Sequence, residues 1–392
     1  MNLDLCALVP VAVSAGMYVS MHGAFWQMLR AGPADSARSR VTPRVSILKP
    51  IAGLDDALAQ NLETFARLDY PDHELLLGVA RVDDPALPVV RAFLARHPTL
   101  DARLVWTDAD AATNPKVAQL LGLTQHATGA ILVVSDANVR VPPAYLTSMV
   151  SCLHEEGVGL VSSLIAGTGG DTLGDALEAT QLSGFVAPAV VTTALAGRAI
   201  TIGKSLAMRR SDLDDLGGWG AVGTVLAEDD VLGQLFRAAG FRVEVCLLPI
   251  ENPNVGSSVR RTLERHSRWA KMRRAIEPVA YVAEPLLSPG AMALMALTLH
   301  PCERTAKAWV LACVLQAFMA TLSIRALRGD WPRWTTPLLE IARLHLLFGC
   351  WVWGLVSSRV AWRGKHFRVT SGSQLVPVKT AALMPATSNT PA

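Results

Sequence analysis

Two charged runs of opposite sign contain the side chains of this chain that are best suited to catalysis. The acidic run is Glu228–Asp230, and the basic run Arg265–Trp269 begins 36 residues after Asp229. A carboxylate such as Asp229 can take the proton from an attacking hydroxyl group as that group becomes acidic in the transition state. Guanidinium groups bind phosphate oxygens in pairs, and Trp269 can wall an acceptor site. The combination is typical of a processive or lipid-directed transfer of sugar from a diphosphate.

Each run also has a simpler explanation. Acids in the first turn stabilise a helix through its dipole, although three acids in succession exceed what capping requires. The basic run lies in a helix predicted over residues 259–274, and such a helix can contact anionic lipid beside a membrane. That explanation covers Lys271, Arg273 and Arg274 better than it covers Trp269. We interpret His266 as a residue of the helix surface.

A second candidate site follows a predicted strand, where Asp136 and Asn138 form an Asp-x-Asn pair. Hard oxygen ligands of this kind suit Mg²⁺ or Mn²⁺, which would neutralise a sugar-nucleotide diphosphate, and Asp136 is the expected metal ligand. The alternative is a turn in which the side chain bonds to the backbone and closes the strand. Lys116 stands just inside a predicted helix, where it can reach phosphate or face solvent.

Short apolar segments alternate with helical segments and predict an α/β fold with a parallel sheet. The strands are predicted over residues 45–48, 74–80, 102–106 and 130–134, and the helices over 54–68, 87–96 and 116–126. Ligands of such sheets bind beyond the carboxyl ends of the strands. Lys49, Asp83, Asp84 and Asp136 are expected there. Residues 202–205 end like a phosphate-binding loop but lack its first glycine, so we set that interpretation aside.

Composition places the chain between a soluble enzyme and a bundle of membrane spans. It has 392 residues, 51% of them hydrophobic and 18% charged, with a mean hydropathy of +0.31. The net charge of +3 gives no reason to expect nucleic-acid binding. The six cysteines include no Cys-x-x-Cys pair, so neither a disulfide framework nor a zinc site is expected.

Apolar segments at both ends predict an integral membrane protein. Leu5–Trp26 precedes four arginines, which favours an uncleaved anchor with its C-terminal side in the cytosol over a cleaved signal peptide. Trp309–Ile324 and Leu338–Val356 are predicted spans, and Pro285–Leu299 is predicted to be a third span, a re-entrant segment or an interfacial one. The expected division is an anchor over 1–28, a linker over 32–43, a cytosolic domain over 44–276, membrane segments over 279–362 and a polar tail over 363–392, which is expected to be loose from Leu375.

Taken together, the motifs from Val45 to Ile276 resemble the ceramide glucosyltransferase family. The resemblance rests on an ordered set of short runs: Ile47–Pro50, Asp83–Ala86, Asn114–Val117, Ser135–Val141, Ala227–Asp229 and Arg265–Trp269. It implies a GT-A fold, inversion at the anomeric carbon of the sugar and an active site that faces the cytosol.

The resemblance also implies roles for individual residues. Asp136 would contact the nucleotide and a divalent cation, and Asp229 would be the catalytic base. Lys49, Asp83, Asp84, Lys116, Asn138, Arg265, Arg268 and Trp269 would complete the substrate site, with the last three serving the diphosphate and the acceptor. Relatives commonly carry an acid two residues before the Asp-Asp-Pro run, where this chain has Arg81. Two alternatives follow: Asp83 or Asp84 replaces that nucleoside contact, or the contact itself differs in this chain.

The expected function is transfer of glucose from UDP-glucose to the primary hydroxyl group of ceramide, with membrane lipid as a further partner. One alternative keeps the fold and transfers an N-acetylglucosamine-type sugar to a hopanoid. A non-catalytic membrane scaffold is the alternative of another class, and the presence of Asp136, Asp229 and Arg268 argues against it. A polysaccharide synthase is disfavoured because the C-terminal spans are too few for a channel. The compact, Ala- and Arg-rich chain favours a bacterial inner membrane.

Overall fold

A seven-stranded sheet forms the centre of the computed structural model, which describes residues 3–32, 42–54, 57–362 and 365–378. Its strands are β1 Val45–Ile51, β2 His73–Val79, β3 Ala102–Trp106, β4 Ile131–Ser135, β5 Val158–Gly169, β6 Ser205–Arg209 and β7 Arg242–Asn254. Their order across the sheet is β3-β2-β1-β4-β6-β5-β7. Only the pairs made by β6 are antiparallel. The predicted α/β class is confirmed.

The described helices include those that connect the strands and cover both faces of this sheet, and the apolar ones toward the two ends of the chain, which pack beside it. They are α1 Leu3–Ala31, α2 Leu58–Phe65, α3 Leu87–Arg96, α4 Pro115–His126, α5 Tyr145–Leu153, α6 Leu173–Gln181, α7 Ala187–Leu195, α8 Arg210–Asp215, α9 Glu228–Ala238, α10 Val259–Ile276, α11 Pro278–Ala283, α12 Pro289–Leu299, α13 Glu303–Arg328 and α14 Thr336–Val356. A π-helical turn, Leu182–Val186, joins α6 to α7.

Alternation along the strands divides the buried side chains between two cores. In β1, Val45 and Ile47 enter the core that includes residues of α2, α3 and α5. Leu48 enters the core on the opposite face, which includes residues of α4 and α9. Because both faces are covered, β1 is buried along its whole length, as expected of a strand in a parallel sheet. This buried strand also contains Lys49, which therefore lies inside β1; its expected position beyond the strand end is wrong.

The antiparallel strand β6 brings a second chain segment to the carboxyl edge of the sheet. Ser205, the first residue of β6, pairs with Ser135, the last residue of β4. Gly203 and Lys204 therefore lie beside Asp136, whose N–H donates to the carbonyl oxygen of Lys204 at 3.0 Å. The carboxyl edge is the place where ligands collect in open α/β sheets.

Apolar helices pack beside the sheet domain. Within the described residues, α1, α13 and α14 are each long and apolar enough to cross a membrane, and a fourth span is possible if the segments 278–287 and 289–299 form one. Those two segments meet at a bend of 91°. The helices share polar contacts, such as the 2.6 Å hydrogen bond between His22 of α1 and Ser323 of α13. The prediction of an integral membrane protein is confirmed, while most of the expected linker, residues 33–41, lies outside the described residues.

The C-terminal residues include a small sheet that the sequence did not predict. Its strands are β8 Arg359–Trp362, β9 Lys365–Val369 and β10 Leu375–Pro377. Leu375 is buried with Leu226, next to the acidic run. The expectation of a loose tail from Leu375 is wrong for 375–378, because β10 forms there and Leu375 packs against the domain; residues 379–392 lie outside the part of the chain that the structure describes.

Candidate active site

Three acids surround one lysine at the carboxyl edge of the sheet. Lys116 Nζ lies 2.9 Å from Asp136 Oδ1 and 3.1 Å from Glu228 Oε1, and it donates to the carbonyl oxygen of Gly203 at 2.6 Å. Although burial opposes it, attraction to Asp136, Glu228 and Asp229 raises the pKa of Lys116. Lys116 is thus a fixed cation, and the prediction that it points toward a phosphate site stays a prediction.

Helix starts hold this cluster in place. Asn114 caps α4, because its side-chain oxygen accepts from the N–H groups of Lys116 and Val117 at 2.8 and 3.2 Å. The amide nitrogen of Asn114 donates to Glu228 Oε2 at 3.1 Å. One side chain therefore both starts α4 and ties it to the first turn of α9.

Asp229 is a half-buried carboxylate in the first turn of α9. Its Oδ2 accepts from the N–H of Gly203 at 2.5 Å, and its Oδ1 accepts from the N–H of Asp230 at 2.9 Å. Burial and the neighbouring Glu228 raise the pKa of Asp229 to about 7, although Lys116 and the two hydrogen bonds act in the opposite direction. A carboxylate with a pKa near neutrality is suited to general-base catalysis.

Asp136 is the second acid of the cluster and remains ionised. Burial would raise the pKa of Asp136, but Lys116 and then Lys204 lower it below its ordinary value. Lys49 lies behind it, donating to the Asp136 carbonyl oxygen at 2.7 Å and to Ser135 Oγ at 3.3 Å. Burial lowers the pKa of Lys49 to about 7, with Asp136 opposing the shift. Lys49 therefore supports the end of β4 from within the core.

Asn138 and Lys204 form the next part of the edge. Lys204 Nζ donates to Asn138 Oδ1 at 3.1 Å. Burial lowers the pKa of Lys204, Asp136 partly offsets that shift, and Arg265 lowers it further. Asn138, Lys204 and Arg265 therefore lie on the same side of the domain as Asp136.

The basic run divides between two environments. Arg265 Nη1 lies 3.0 Å from Glu178 Oε1, and His266 Nε2 lies 2.8 Å from Glu178 Oε2. Trp269 packs against the main core and meets His266 edge to face at 4.9 Å between ring centres. Arg268 instead lines a groove between α10 and α14. The interpretation of His266 as a surface residue is wrong, because its ring is buried beside Glu178.

Asp83 and Asp84 lie apart from these contacts, after β2. Asp83 makes an ion pair with Arg81 at 2.6 Å, in which both side chains are largely exposed, and Arg81 holds the pKa of Asp83 below its usual value. Asp84 accepts from the N–H groups of Gly53 and Ala86 at 3.0 and 2.9 Å. Arg81 is thus the ion-pair partner of Asp83, and Asp84 connects two loops through backbone hydrogen bonds. The nucleoside contact of either acid stays a prediction.

Asp136 is the residue expected to hold a divalent cation. No three His, Cys, Asp or Glu side chains within 3–32, 42–54, 57–362 and 365–378 are grouped so that they could hold a metal ion. Mg²⁺ often binds through only one or two carboxylates, with phosphates of the substrate among its other ligands. The Asp136 side chain is 27% exposed. It can therefore provide the one protein carboxylate of a cation site whose other ligands include phosphates of the substrate.

The α/β domain has a cluster of acids and lysines at the carboxyl edge of its sheet and apolar helices beside it. The chain belongs to glycosyl transferase family 21, whose family model matches residues 7–375. The prediction of a glycosyltransferase is confirmed at the level of the family.

Several curated relatives are ceramide glucosyltransferases by name. Ceramide glucosyltransferase 1 of Caenorhabditis elegans is 28% identical over 245 residues, which are 62% of this chain and 53% of that protein. The ceramide glucosyltransferase of Gibberella zeae is 30% identical over 139 residues, or 33% of this chain and 26% of that protein. This chain spans about half the length of the first of these relatives. The resemblance stated from the motifs is confirmed.

Solved structures of glycosyltransferases are similar at lower identity. The mannosyltransferase PcManGT from Pyrobaculum calidifontis, in complex with GDP-Man and Mn²⁺, is 20% identical. The match covers 89% of this chain and 98% of that chain, with a TM-score of 0.49.

Sequence reasoning missed four residues that the structure places in or beside the site. Gly203 and Lys204 belong to the segment that was set aside as an incomplete phosphate loop; their position just before a strand was the available signal. Glu228 was read only as a neighbour of Asp229. Glu178 had no signal in its surroundings, because its partners lie 87 and 88 residues away in the sequence.

Proposed function

We propose that this protein transfers glucose from UDP-glucose to the primary hydroxyl group of ceramide, with inversion at the anomeric carbon. Membership of glycosyl transferase family 21 supports a sugar transfer. The names of the curated relatives support ceramide as the acceptor and glucose as the sugar. Helices suited to a membrane support an acceptor that is itself a lipid.

The observation that carries the proposal is the raised pKa of Asp229, which makes this carboxylate a suitable base. With a pKa raised to about 7 by burial and by Glu228, this carboxylate is partly ionised at neutral pH and can accept a proton. In the proposed reaction the acceptor oxygen bonds to the anomeric carbon as the bond from that carbon to the diphosphate breaks. The hydroxyl proton passes to Asp229, and UDP leaves with the bonding electron pair.

The other charged groups are assigned to the donor. Lys116, Lys204 and Arg265 provide positive charge for the diphosphate, where fixed charges stabilise a leaving anion without reorganisation. A divalent cation, when bound, would supply further neutralisation of the diphosphate, and Asp136 would hold it. Glu178 keeps the Arg265 side chain in one position for this role.

We place the sheet domain on the cytosolic side of the membrane, which is proposed to be a bacterial inner membrane. The support is the positive charge beside the spans, since Arg30 and Arg44 follow the N-terminal apolar segment and Arg359 and Arg368 follow the last one. In the chain, α10 is followed directly by the bent helices and then by the spans α13 and α14. A lipid hydroxyl at the membrane surface would need to travel only a short way to the carboxyl edge of the sheet.

Purified protein in detergent, or membranes containing it, can test the proposal with radiolabelled UDP-glucose and UDP-N-acetylglucosamine, each with ceramide or a polyol hopanoid. Glucose transfer to ceramide is expected. Transfer only to the hopanoid would show that the acceptor is a hopanoid and not ceramide, while the protein would still be a glycosyltransferase. The matched control is Asp229→Asn, which should bind donor and transfer nothing. No nucleotide release with any acceptor, together with unchanged behaviour of Asp229→Asn, would favour a scaffold.

A further inference from the structure

A groove on the far side of α10 is separate from the acids of the candidate active site. It has a volume of about 850 Å³ and lies between α10, α14 and β8. On α10, Arg265 and Trp269 turn toward Glu178 and the sheet core, whereas Ser267, Arg268 and Lys271 line the groove. The helix therefore presents two different surfaces, one to each site.

The groove combines an apolar wall with a positive one. Leu346 and Trp353 of α14 line the apolar side, and α14 is one of the helices suited to cross a membrane. The charged lining consists of Arg260, Glu264, Arg268, Lys271 and Arg359. Glu264, its one carboxylate, already pairs with Arg260 at 2.9 Å. Beyond this pair, Lys271 and Arg359 add positive charge to the lining.

Lys271 is the most informative of these cations, because its side chain is only 7% exposed. Its ammonium group donates to the carbonyl oxygen of Arg359 at 2.8 Å. No carboxylate lies within 4 Å of Lys271 or Arg359 in the described part of the chain. Burial lowers the pKa of Lys271, Cys350 partly offsets that shift, and nearby Arg274 lowers the pKa further. Buried charges are normally paired, so an anion in the groove would supply the missing partner.

We propose that this groove binds the phosphate headgroup of an anionic phospholipid, whose acyl chains lie along α14. The apolar wall favours a phosphate that belongs to a lipid over a free phosphate ion, because a free ion would gain nothing from contact with Leu346 and Trp353. The positive charge of the lining argues against ceramide as the occupant, since ceramide is uncharged. Clusters of Lys and Arg beside a span recognise anionic lipids in this manner, and aromatic side chains such as Trp353 favour the membrane interface.

The test measures lipid binding and needs no activity. The full chain, purified in detergent, is incubated with phosphatidylglycerol or with phosphatidylcholine of the same acyl chains, and the lipid that remains bound is measured by native mass spectrometry. Preferential retention of phosphatidylglycerol is expected. Lys271→Gln and Arg359→Gln should each reduce it about fivefold, as one lost charge near a membrane surface implies. Lys307→Gln is the matched control, because Lys307 is 71% exposed and pairs with Glu303 outside the groove.

Each alternative to this proposal predicts a different result in the binding assay. Equal retention of the two lipids, or unchanged retention in both Lys271→Gln and Arg359→Gln, would overturn the proposal. Displacement of phosphatidylglycerol by inorganic phosphate alone would identify a free-anion site instead. Displacement by ceramide would assign the groove to the acceptor. Because binding is read directly, failure here would leave the proposed glucosyl transfer untouched, and a failed transfer assay would not affect this result.

Discussion

Lys116 and Asp136 form an ion pair of 2.9 Å that joins two chain segments of the active edge, the first turn of α4 and the end of β4. The same ammonium group lies 3.1 Å from Glu228. It therefore sets the electrostatic surroundings of the neighbouring Asp229, whose carboxylate is the proposed base. Removing a charge from this cluster should shift the pH at which the base ionises.

Two substitutions should move the pH profile in opposite directions. In the unaltered protein kcat/KM should rise with pH through a midpoint near 7, because Asp229 must lose its proton to act as a base and its pKa is raised to about 7. Lys116→Met removes the cation that lowers this pKa and should move the midpoint up by about one pH unit. Glu228→Gln removes the carboxylate that raises it and should move the midpoint down by a similar amount.

The measurement is the rate of UDP release across the pH range with the donor below saturation. Both substitutions disturb the same cluster, so each serves as the control for the other. Shifts in the same direction would show that lost structure, and not charge, is the cause. An unshifted midpoint in both variants would remove Asp229 as the group that titrates.

Gly203→Ala should displace the base without removing any functional group. A Cβ atom on Gly203 would lie 2.9 Å from both Asp229 Oδ2 and Lys116 Nζ, and 3.0 Å from Asp229 Cβ. Small displacements of catalytic groups can cost about a hundredfold in rate, so kcat should fall by roughly that factor. The control is Gly220→Ala, because nothing lies within 4 Å of a Cβ at Gly220. Equal kcat values for the two variants would contradict the proposed role of the Gly203 contact.

Glu178→Gln should uncouple Arg265 from its fixed position. His266 and Arg265 hold the pKa of this buried carboxylate at about 2, against the effect of burial, so it is ionised throughout the neutral range. Loss of its charge leaves the half-buried Arg265 without its ion-pair partner and should cost about 3 kcal/mol of unfolding free energy. KM for the donor should also rise, since Arg265 loses its orientation.

The matched control is Glu264→Gln on α10, the helix that contains Arg265 and His266. Glu264 is 63% exposed and pairs with the exposed Arg260, so its loss should change stability by less than about 1 kcal/mol. Thermal unfolding and donor KM are measured for both variants. A change in stability alone for Glu178→Gln, with an unchanged KM, would limit Glu178 to a structural role.

Part of the site could be predicted from the sequence because strand ends and helix starts follow local rules. Asp136 and Asn138 follow an apolar strand, and Lys116 and Asp229 lie in first turns of helices. Open α/β sheets bring such positions together at one edge. The sheet from β1 to β4 was predictable for the same reason, since its apolar strands alternate regularly with helices.

The remaining part depends on contacts between distant segments. The Glu178–His266 contact joins residues 88 apart in the sequence, and it exists only because α6 packs against α10. Lys204 reaches Asn138 because β6 runs antiparallel to β4, and no local pattern gives the direction of that strand. The small C-terminal sheet was missed because its strands are short and polar, apart from the few side chains that pack on the domain.

The C-terminal sheet is expected to support the acidic run, and Ser373 is the residue that tests this. Its carbonyl oxygen accepts from the N–H of Leu226 at 2.8 Å, and its Oγ accepts from the N–H of Ala227 at 3.1 Å. Ser373→Ala removes only the second contact and leaves a buried N–H without a partner, which should cost about 1–3 kcal/mol of unfolding free energy. Because Ala227 precedes α9 directly, kcat should fall as well.

Thermal unfolding and the rate of glucose transfer are measured together for Ser373→Ala and for its control, Ser371→Ala, which alters an exposed serine two residues earlier in the same turn. The control should match the unaltered protein in both measurements. A less stable Ser373→Ala that keeps full kcat would show that the small sheet stabilises the domain without positioning Asp229. A loss of kcat that exceeds the loss of stability would instead tie the C-terminal segment to catalysis, since the Oγ contact lies only two residues from the base.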